Sequence, residues 1–558
     1  MRPKLSAGKL YLGVLAFSAM TSVDGASVYN VRDYGATGRK TEDARLAIQR
    51  AIDACARGGG GKVYFPPGEY TSGTLHLRSH VCVEVEAGAT LFASADPGAY
   101  DFGMLAAKAA LFHGEDLEHV TLTGRGTVDG QAEYEWREDD FEQGYNHKTW
   151  MQALGKSLRR SFPKGFPQRQ VYPHLLWLGR AKDVRISGLN FARSPSWSLT
   201  FYDCARVVCD GLSIDTSLRE GVWADGIDLD GCRDVSIAHC TIATGDDCIA
   251  LSSTPNWGPA RACENVTIND CHLASASAGV KFTEGNQVGI RRVVVSDTVF
   301  SPVNRGVVFL NGLGGEVADV LLTDLVIGCE RSDWFWAGDG QPFFVRLAPI
   351  NELNQEPAKP GDRPVGRIRN VIVRNVIAQA KGSCPVYGHF QSWLENVSIE
   401  NVRLFVSTDP DAPYDKAEHA LDCRRARNLK VKDVTVFWEP PALAQWKSAL
   451  YLEDIKGLEL ASFTGRAAWP ARGQPAVALR NVADAVVRDC RAPEGTGLFL
   501  RVAGPRSRAI RLWANDLTQA KTPYELAPET KRRAFKTAGS RLDWPRTGVT
   551  NETLTSPL

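Results

Sequence analysis

The chain has 558 residues, 44% of them hydrophobic, with 51 glycines and 29 prolines, which describes a folded protein of many short elements and turns, neither disordered nor fibrous. Its 65 basic residues are matched by 64 acidic ones, and no basic block, RNA-binding signature or zinc-finger spacing is present, so nucleic acid is excluded as the expected partner. The length would suit two or three ordinary domains, but a repeat architecture can run this far around one continuous core.

Residues 1–26 begin with Arg2, Lys4 and Lys9, pass through an apolar stretch from Leu10 to about Met20, and reach small residues at Ser22, Gly25 and Ala26. That order is the signature of a secretory signal peptide. The apolar stretch is shorter than the roughly 20 residues a membrane helix needs, and no later segment is longer. An exported protein, secreted or periplasmic and without a membrane span, is therefore expected. TEDARLAIQRAIDAC from Thr41 carries apolar residues at helical spacing after an acidic start, and predicts an amphipathic helix. GGGGKVYFPPGEYTSGTLHLRS from Gly58 then reads as the first of many short strands.

A phrase that alternates apolar and polar residues and turns at Asp, Asn or Gly recurs down the chain. It appears as VRISGLNF from Val184, VSIAHCTI from Val235, VTINDCHL from Val266, VVVSDTVF from Val293, VLLTDLVI from Val320, VIVRNVIA from Val371, VSIENVRL from Val397 and LKVKDVTV from Leu429. Successive spacings of 31, 27 and 27 residues from Val235 to Val320 fall in the solenoid range, and a period of two residues within each phrase excludes helical repeats. The expected fold is all-β, a right-handed parallel β-helix capped by the N-terminal α-helix, over residues 27–518. Residues 519–558, with few apolar positions, are expected to be a C-terminal extension. The thirteen cysteines are odd in number and lack compact CxxC spacing. They fit buried free thiols within the repeat better than a zinc site or a disulfide framework.

If one coil lies over the next, two apolar columns point inward: Leu199, Ile227, Ile249, Val280, Val307, and Phe201, Leu229, Leu251, Phe282, Phe309. The outward columns then read Trp197, Asp225, Asp247, Ala278, Arg305, and Thr200, Asp228, Ala250, Lys281, Val308. Asp225 and Asp247 are 22 positions apart, and Asp246 adjoins the latter, so three carboxylates share one patch. Strict alternation would turn Asp225 inward beside Ile227, so the chain must bend there, and Gly226 stands at the bend. Glycoside hydrolysis needs one carboxylic acid to protonate the departing oxygen and a second carboxylate to activate water or attack carbon. Close carboxylates raise one another's affinity for a proton, which serves that division of labour. A solvated acidic face or a calcium site would present similar residues.

VYNVRDYGATG, the Gly-rich first coils, ADGIDLDGC and TGDDCIAL together resemble glycoside hydrolase family 28, the polygalacturonases and rhamnogalacturonan hydrolases of the pectin lyase-like β-helix superfamily. The resemblance runs from about Ser27 to Gly312 and more weakly beyond. It implies an inverting hydrolase of pectic polysaccharide that needs no metal or other cofactor, with Asp247 as general acid and Asp225 and Asp246 positioning and deprotonating water. The expected partner is a polysaccharide or oligosaccharide, and a monomer is expected.

Three departures stand out. Trp223 and Ala224 replace the family's Asn-Thr, SASAG from Ser275 replaces its Gly-His-Gly, and Val308, Phe309 and Leu310 replace its Arg-Ile-Lys. Apolar side chains cannot substitute for an arginine fork on a carboxylate, so plain polygalacturonate is not the expected substrate. Lys281 and Arg305 are placed to recover part of that charge, with Asp228 beside them, and Trp197 is a candidate platform for a sugar ring. SDWFWAGDGQPFF from Ser332, with Trp334 and Trp336, and the segment around Tyr145, His147 and Trp150 read as inserted loops. A non-catalytic glycan-binding β-helix and a polysaccharide lyase are the alternative readings.

Overall fold

Valine- and isoleucine-rich phrases of period two favour extended backbone, and their common spacing lets every strand find its partner one coil away. The structure, a computed structural model, describes residues 27–541 apart from 102–107, 133–172, 219–220, 222, 332–339, 354–364, 409–417 and 532–534. The expected signal peptide and the loop residues Tyr145, His147, Trp150, Trp334 and Trp336 lie outside the described residues.

The strands pair in parallel, coil upon coil. One column of residues shows the register: Val184, Val207, Val235, Val266, Val293, Val320, Val371, Val397 and Leu429 are successive partners. Val207 belongs to a coil that the recurring phrase does not mark. The long interval between Val320 and Val371 is one coil carrying an excursion, because the two residues pair directly. Parallel strands joined by crossovers in one sheet are right-handed, and the chain is a right-handed parallel β-helix.

Both predicted inward columns are paired as expected, and every member is at most 1% exposed. Phe282 and Phe309 stack at 4.2 Å within one of them. The N-terminal helix, Arg45–Arg57, lays Ala47, Ile48, Ala51, Ile52 and Cys55 against the first coil and so closes the end of the core. All thirteen cysteines are unpaired thiols, twelve of them buried.

The Asp and Asn turns in the repeat have a conformational reason. Asp234, Asn265, Asp319, Asn370, Asn396 and Asn428 all sit at φ of 53° to 58°, the left-handed region that Asn and Asp tolerate best among residues other than glycine. Their side chains also form a ladder: Asn370 donates to Asp319 at 2.8 Å, Asn396 to Asn370 at 2.9 Å and Asn428 to Asn396 at 3.0 Å.

The stack does not end at residue 518. Thr522–Leu526 pairs with Leu498–Ala503, and Phe535–Ala538 pairs with Arg508–Trp513, so the expected extension contributes further turns of the solenoid. Tyr524, Leu526 and Phe535 are partly buried and pack against the core from these turns. Replacing Phe282 with Ala is expected to lower stability by about 3–5 kcal/mol, since it deletes a fully buried ring and its stacked contact; the midpoint of denaturant unfolding measures this.

Candidate active site

The outward columns carry the candidate site, and their register is the one expected. Thr200, Asp228, Ala250, Lys281 and Val308 are successive partners, and Ala278 pairs with Arg305. Asp225 and Asp247 stand in the bends that precede their strands, which begin at Ile227 and Ile249. A Cβ on Gly226 would come within 2.4 Å of the Cys248 carbonyl oxygen, so close stacking of the two bends demands glycine. Hydroxyls fix these turns. Thr244 and Ser275 both donate to the Asp246 carbonyl, at 2.7 and 2.6 Å, and Thr216 donates to the Ala224 carbonyl at 2.9 Å.

Asp225, Asp246 and Asp247 are brought together, each presenting an oxygen within 4.8 Å of the others. All three are buried, and with Asp228 they form the floor of a cavity of about 780 Å³. Lys281 reaches back over the small Ala250 to place Nζ 2.9 Å from Asp247 Oδ2, with Glu284 at 3.7 Å on its other side. The Ser277 hydroxyl donates to Asp247 Oδ1 at 2.7 Å. Both oxygens of Asp247 are therefore engaged by donors from the next coil. Three carboxylates could also hold a hard cation, but the chain supplies a positive charge here itself.

Burial raises the proton affinity of Asp225 well above the carboxylate range, and the neighbouring charges of Asp228 and Asp247 add to the effect. Asp228 is raised by burial as well; it shares a hydrogen bond with Asp225, while its Oδ2 has no hydrogen-bond partner. Asp246 is raised by burial and then by Asp225 and Asp247. Lys281 opposes each of these shifts. Its own affinity for a proton would fall on burial, but Asp247, Glu284 and Asp246 lift it well above the usual lysine value.

Several residues in and around the cavity were not expected from sequence. Ser277 occupies the region of SASAG that had read only as a missing histidine. His174, bonded to Thr200 Oγ1 at 2.8 Å, enters from an upstream coil. Trp223, at a φ of 60° that is unusual for an aromatic residue, lines one wall with Trp197. Trp257, Leu313 and Ile350 come from excursions between strands, where no periodic signal marks them. Arg305 is not in the lining; its Nε donates to Gln341 at 3.3 Å and its guanidinium lies over the Phe344 ring. Its side chain thus lies beside Gln341 and Phe344 of the next coil.

Residues 55–272 match the family model for glycosyl hydrolases family 28, and residues 28–81 match that for rhamnogalacturonase A/epimerase, pectate lyase-like. The stretch that resembles glycosyl hydrolases family 28 holds Asp225, Asp246 and Asp247. Among its relatives in that family's range is a probable polygalacturonase from Vitis vinifera, 28% identical over 59% of this chain and 60% of that protein. An exopolygalacturonase from Platanus acerifolia is 26% identical over 59% of this chain and 82% of its own length. Solved structures share the fold: an exopolygalacturonase from Thermotoga maritima has a TM-score of 0.56 at 20% identity, covering 74% of this chain and 91% of that one. A family 28 exopolygalacturonase from Yersinia enterocolitica has a TM-score of 0.57 at 18% identity, covering 78% of each. Among the described residues no helix is long and apolar enough to cross a membrane.

Lys281→Met should destabilise the protein in a pH-dependent way. With the cation gone, the folded-state proton affinities of Asp225, Asp228 and Asp246 rise further above their unfolded values, so the variant binds more protons folded than unfolded over a wider range. Its stability then falls relative to the parent as pH rises from about 4 to 8, by about 3 kcal/mol at the upper end, where a buried carboxylate is left unpaired. Thermal unfolding of both proteins across that range checks the widening gap.

Proposed function

We propose that this protein is an exported glycoside hydrolase that cleaves pectic or related polysaccharide with inversion at the anomeric carbon. The observation that carries the reading is the placement of Asp225, Asp246 and Asp247 on the floor of one cavity, with oxygens within 4.8 Å. The match of residues 55–272 to the family model for glycosyl hydrolases family 28 supports it, as do relatives named as polygalacturonases.

The geometry supports a different division of roles from the one the resemblance implied. Asp247 receives a hydrogen bond from Ser277 and an ammonium from Lys281, the surroundings of an ionised carboxylate. It is the base that takes a proton from water as the water oxygen bonds to the anomeric carbon. Asp246, whose burial and acidic neighbours hold its proton, donates that proton to the departing glycosidic oxygen as the carbon–oxygen bond breaks. Asp225, sharing a hydrogen bond with Asp228, positions the water from the coil before.

The oxygens are closer than the 6.5–9.5 Å or so that separates carboxyl groups in most inverting pairs, and approach the roughly 5 Å of retaining ones. That spacing favours, as a second reading, direct attack by Asp247 on the anomeric carbon. The anomeric signal of fresh product in proton NMR decides between them: inverted configuration is expected, and retention establishes the covalent route.

Val308 is 2% exposed, Leu313 and Ile350 are in the lining, and among the described residues no arginine lines the cavity. The sugar beside the scissile bond is therefore one without a free carboxylate, with Asp228, Lys281 and Trp197 lining its site. Fragments of rhamnogalacturonan or substituted galacturonan are expected to be cleaved about tenfold or more faster than unsubstituted polygalacturonate; initial rates of new reducing ends measure the ratio, and faster cleavage of polygalacturonate would assign Lys281 to its carboxylate.

Asp246→Asn and Asp247→Asn should each reduce turnover of the natural glycan about 100- to 10,000-fold without unfolding the protein. An aryl glycoside whose leaving group needs no proton should restore activity to Asp246→Asn and leave Asp247→Asn inactive. Restoration of the second variant alone would return the acid to Asp247.

A further inference from the structure

We infer that Trp257, docked edge-on against Trp197, closes the cleft on the side of the upstream coils, so that the site takes the end of a glycan chain and releases its terminal unit. This inference rests on the hydrolase reading above and fixes where along the chain that hydrolase cuts.

The floor of the cleft is the outward column, and it continues upstream of Asp228 through Thr200 and Trp177 to His113. A residue on the floor of an open groove would be exposed. Trp177 is wholly buried. His113 stacks on one face of its ring at 5.2 Å and Lys108 lies 4.8 Å from the ring centre, while the edge of Trp257 meets it from above at 6.2 Å. Trp257 also meets Trp197 at 5.7 Å and Tyr202 at 6.0 Å.

These contacts cross the groove. Trp197 precedes its strand, on one side of the floor, whereas Trp257 follows the strand Ile249–Ser253 on the other side and turns back over earlier coils. The excursion that carries it is tied down along its length. The Thr254 N–H donates to Asp230 Oδ1 at 2.7 Å and its hydroxyl donates to Oδ2. Ser253 Oγ donates to the Arg261 carbonyl at 2.6 Å, and Tyr202 donates to the Pro259 carbonyl at 3.1 Å. A Cβ at Gly258 would lie 2.3 Å from the Tyr202 oxygen, so the close approach of this segment depends on glycine.

Trp197 stands one coil upstream of Asp225, and a coil rises about 4.8 Å, close to the length of one sugar unit. Between the acids and the wall there is room for one ring. On the other side the cavity continues past Lys281 and Thr283 to Leu313, and the rest of the chain leaves in that direction. An internal segment of polymer would have to pass through the tryptophan contact.

The test follows products and binding together. On the glycan it cleaves, the parent enzyme should shorten end-labelled oligomers by one unit at a time, with early products almost entirely monosaccharide. Trp257→Ala should release fragments of two or more units early, changing the ratio of monosaccharide to oligomer at least tenfold, while Trp257→Phe should keep the parent pattern. Mixed-length early products from the parent, or single-unit release from a folded Trp257→Ala protein, would overturn the inference. Calorimetry with Asp247→Asn separates it from the hydrolase reading: an oligomer bearing a bulky fluorophore at one terminus should bind at least tenfold more weakly than the same oligomer capped at the other. Equal binding of the two capped forms would sink the closed wall even if no glycan is cleaved, whereas unequal binding without any cleavage would sink only the hydrolase.

Discussion

In-register parallel pairing is the constraint from which the rest of this molecule follows. Each coil repeats the last at the spacing of paired strands, so a side chain on one coil is placed by its neighbours above and below. Val184 to Leu429 form an unbroken column of partners by this means. The same regularity forces Asp228, Ala250 and Lys281 into line on the outside. A site built this way inherits its precision from the core: the acids are held at fixed separation because Ile227, Ile249 and Val280 beneath them interlock.

Such precision brings a charge problem. Asp225, Asp228, Asp246 and Asp247 are all buried within two adjacent coils, an arrangement that repulsion and desolvation both oppose. The fold meets it in two ways. Burial and acidic neighbours raise the proton affinity of Asp246, and Lys281 brings a cation from the following coil to Asp247. The small residue at Ala250 matters here, because a larger side chain in that position would stand between the lysine and the acid. A structural compensation and a chemical asymmetry thus arise from the same contact, leaving one carboxylate paired and another able to hold its proton.

Much of this was legible in the sequence because a solenoid converts spacing into position. The inward columns, the line from Asp228 to Lys281 and the grouping of Asp225 with Asp247 all follow from a repeat length and a period of two. What spacing cannot convey is what happens between strands. Trp257, Leu313 and Ile350 reach the cavity from excursions of irregular length, and their partners are fixed by tertiary contacts such as Tyr202 with Pro259. Arg305 fell in the expected register, yet its long side chain follows Gln341 and Phe344, a choice that register leaves open. The different surroundings of Asp246 and Asp247 were likewise invisible in sequence, since neighbouring residues of identical type differ only in which donors meet them. The coils beyond residue 518 were missed because Thr522–Leu526 and Phe535–Ala538 carry too few apolar residues to display the period, although backbone pairing suffices to add them.

The seating of Lys281 has a consequence for how the cleft responds to its surroundings. Mobile ions weaken charge interactions across water over distances of about 8 Å at physiological ionic strength, but they act little on pairs sheltered from solvent. With the lysine side chain 19% exposed and Asp247 at 3%, this pair is sheltered. The state of the acids is then set by the polypeptide and by pH, and brine and fresh water should meet the same cleft.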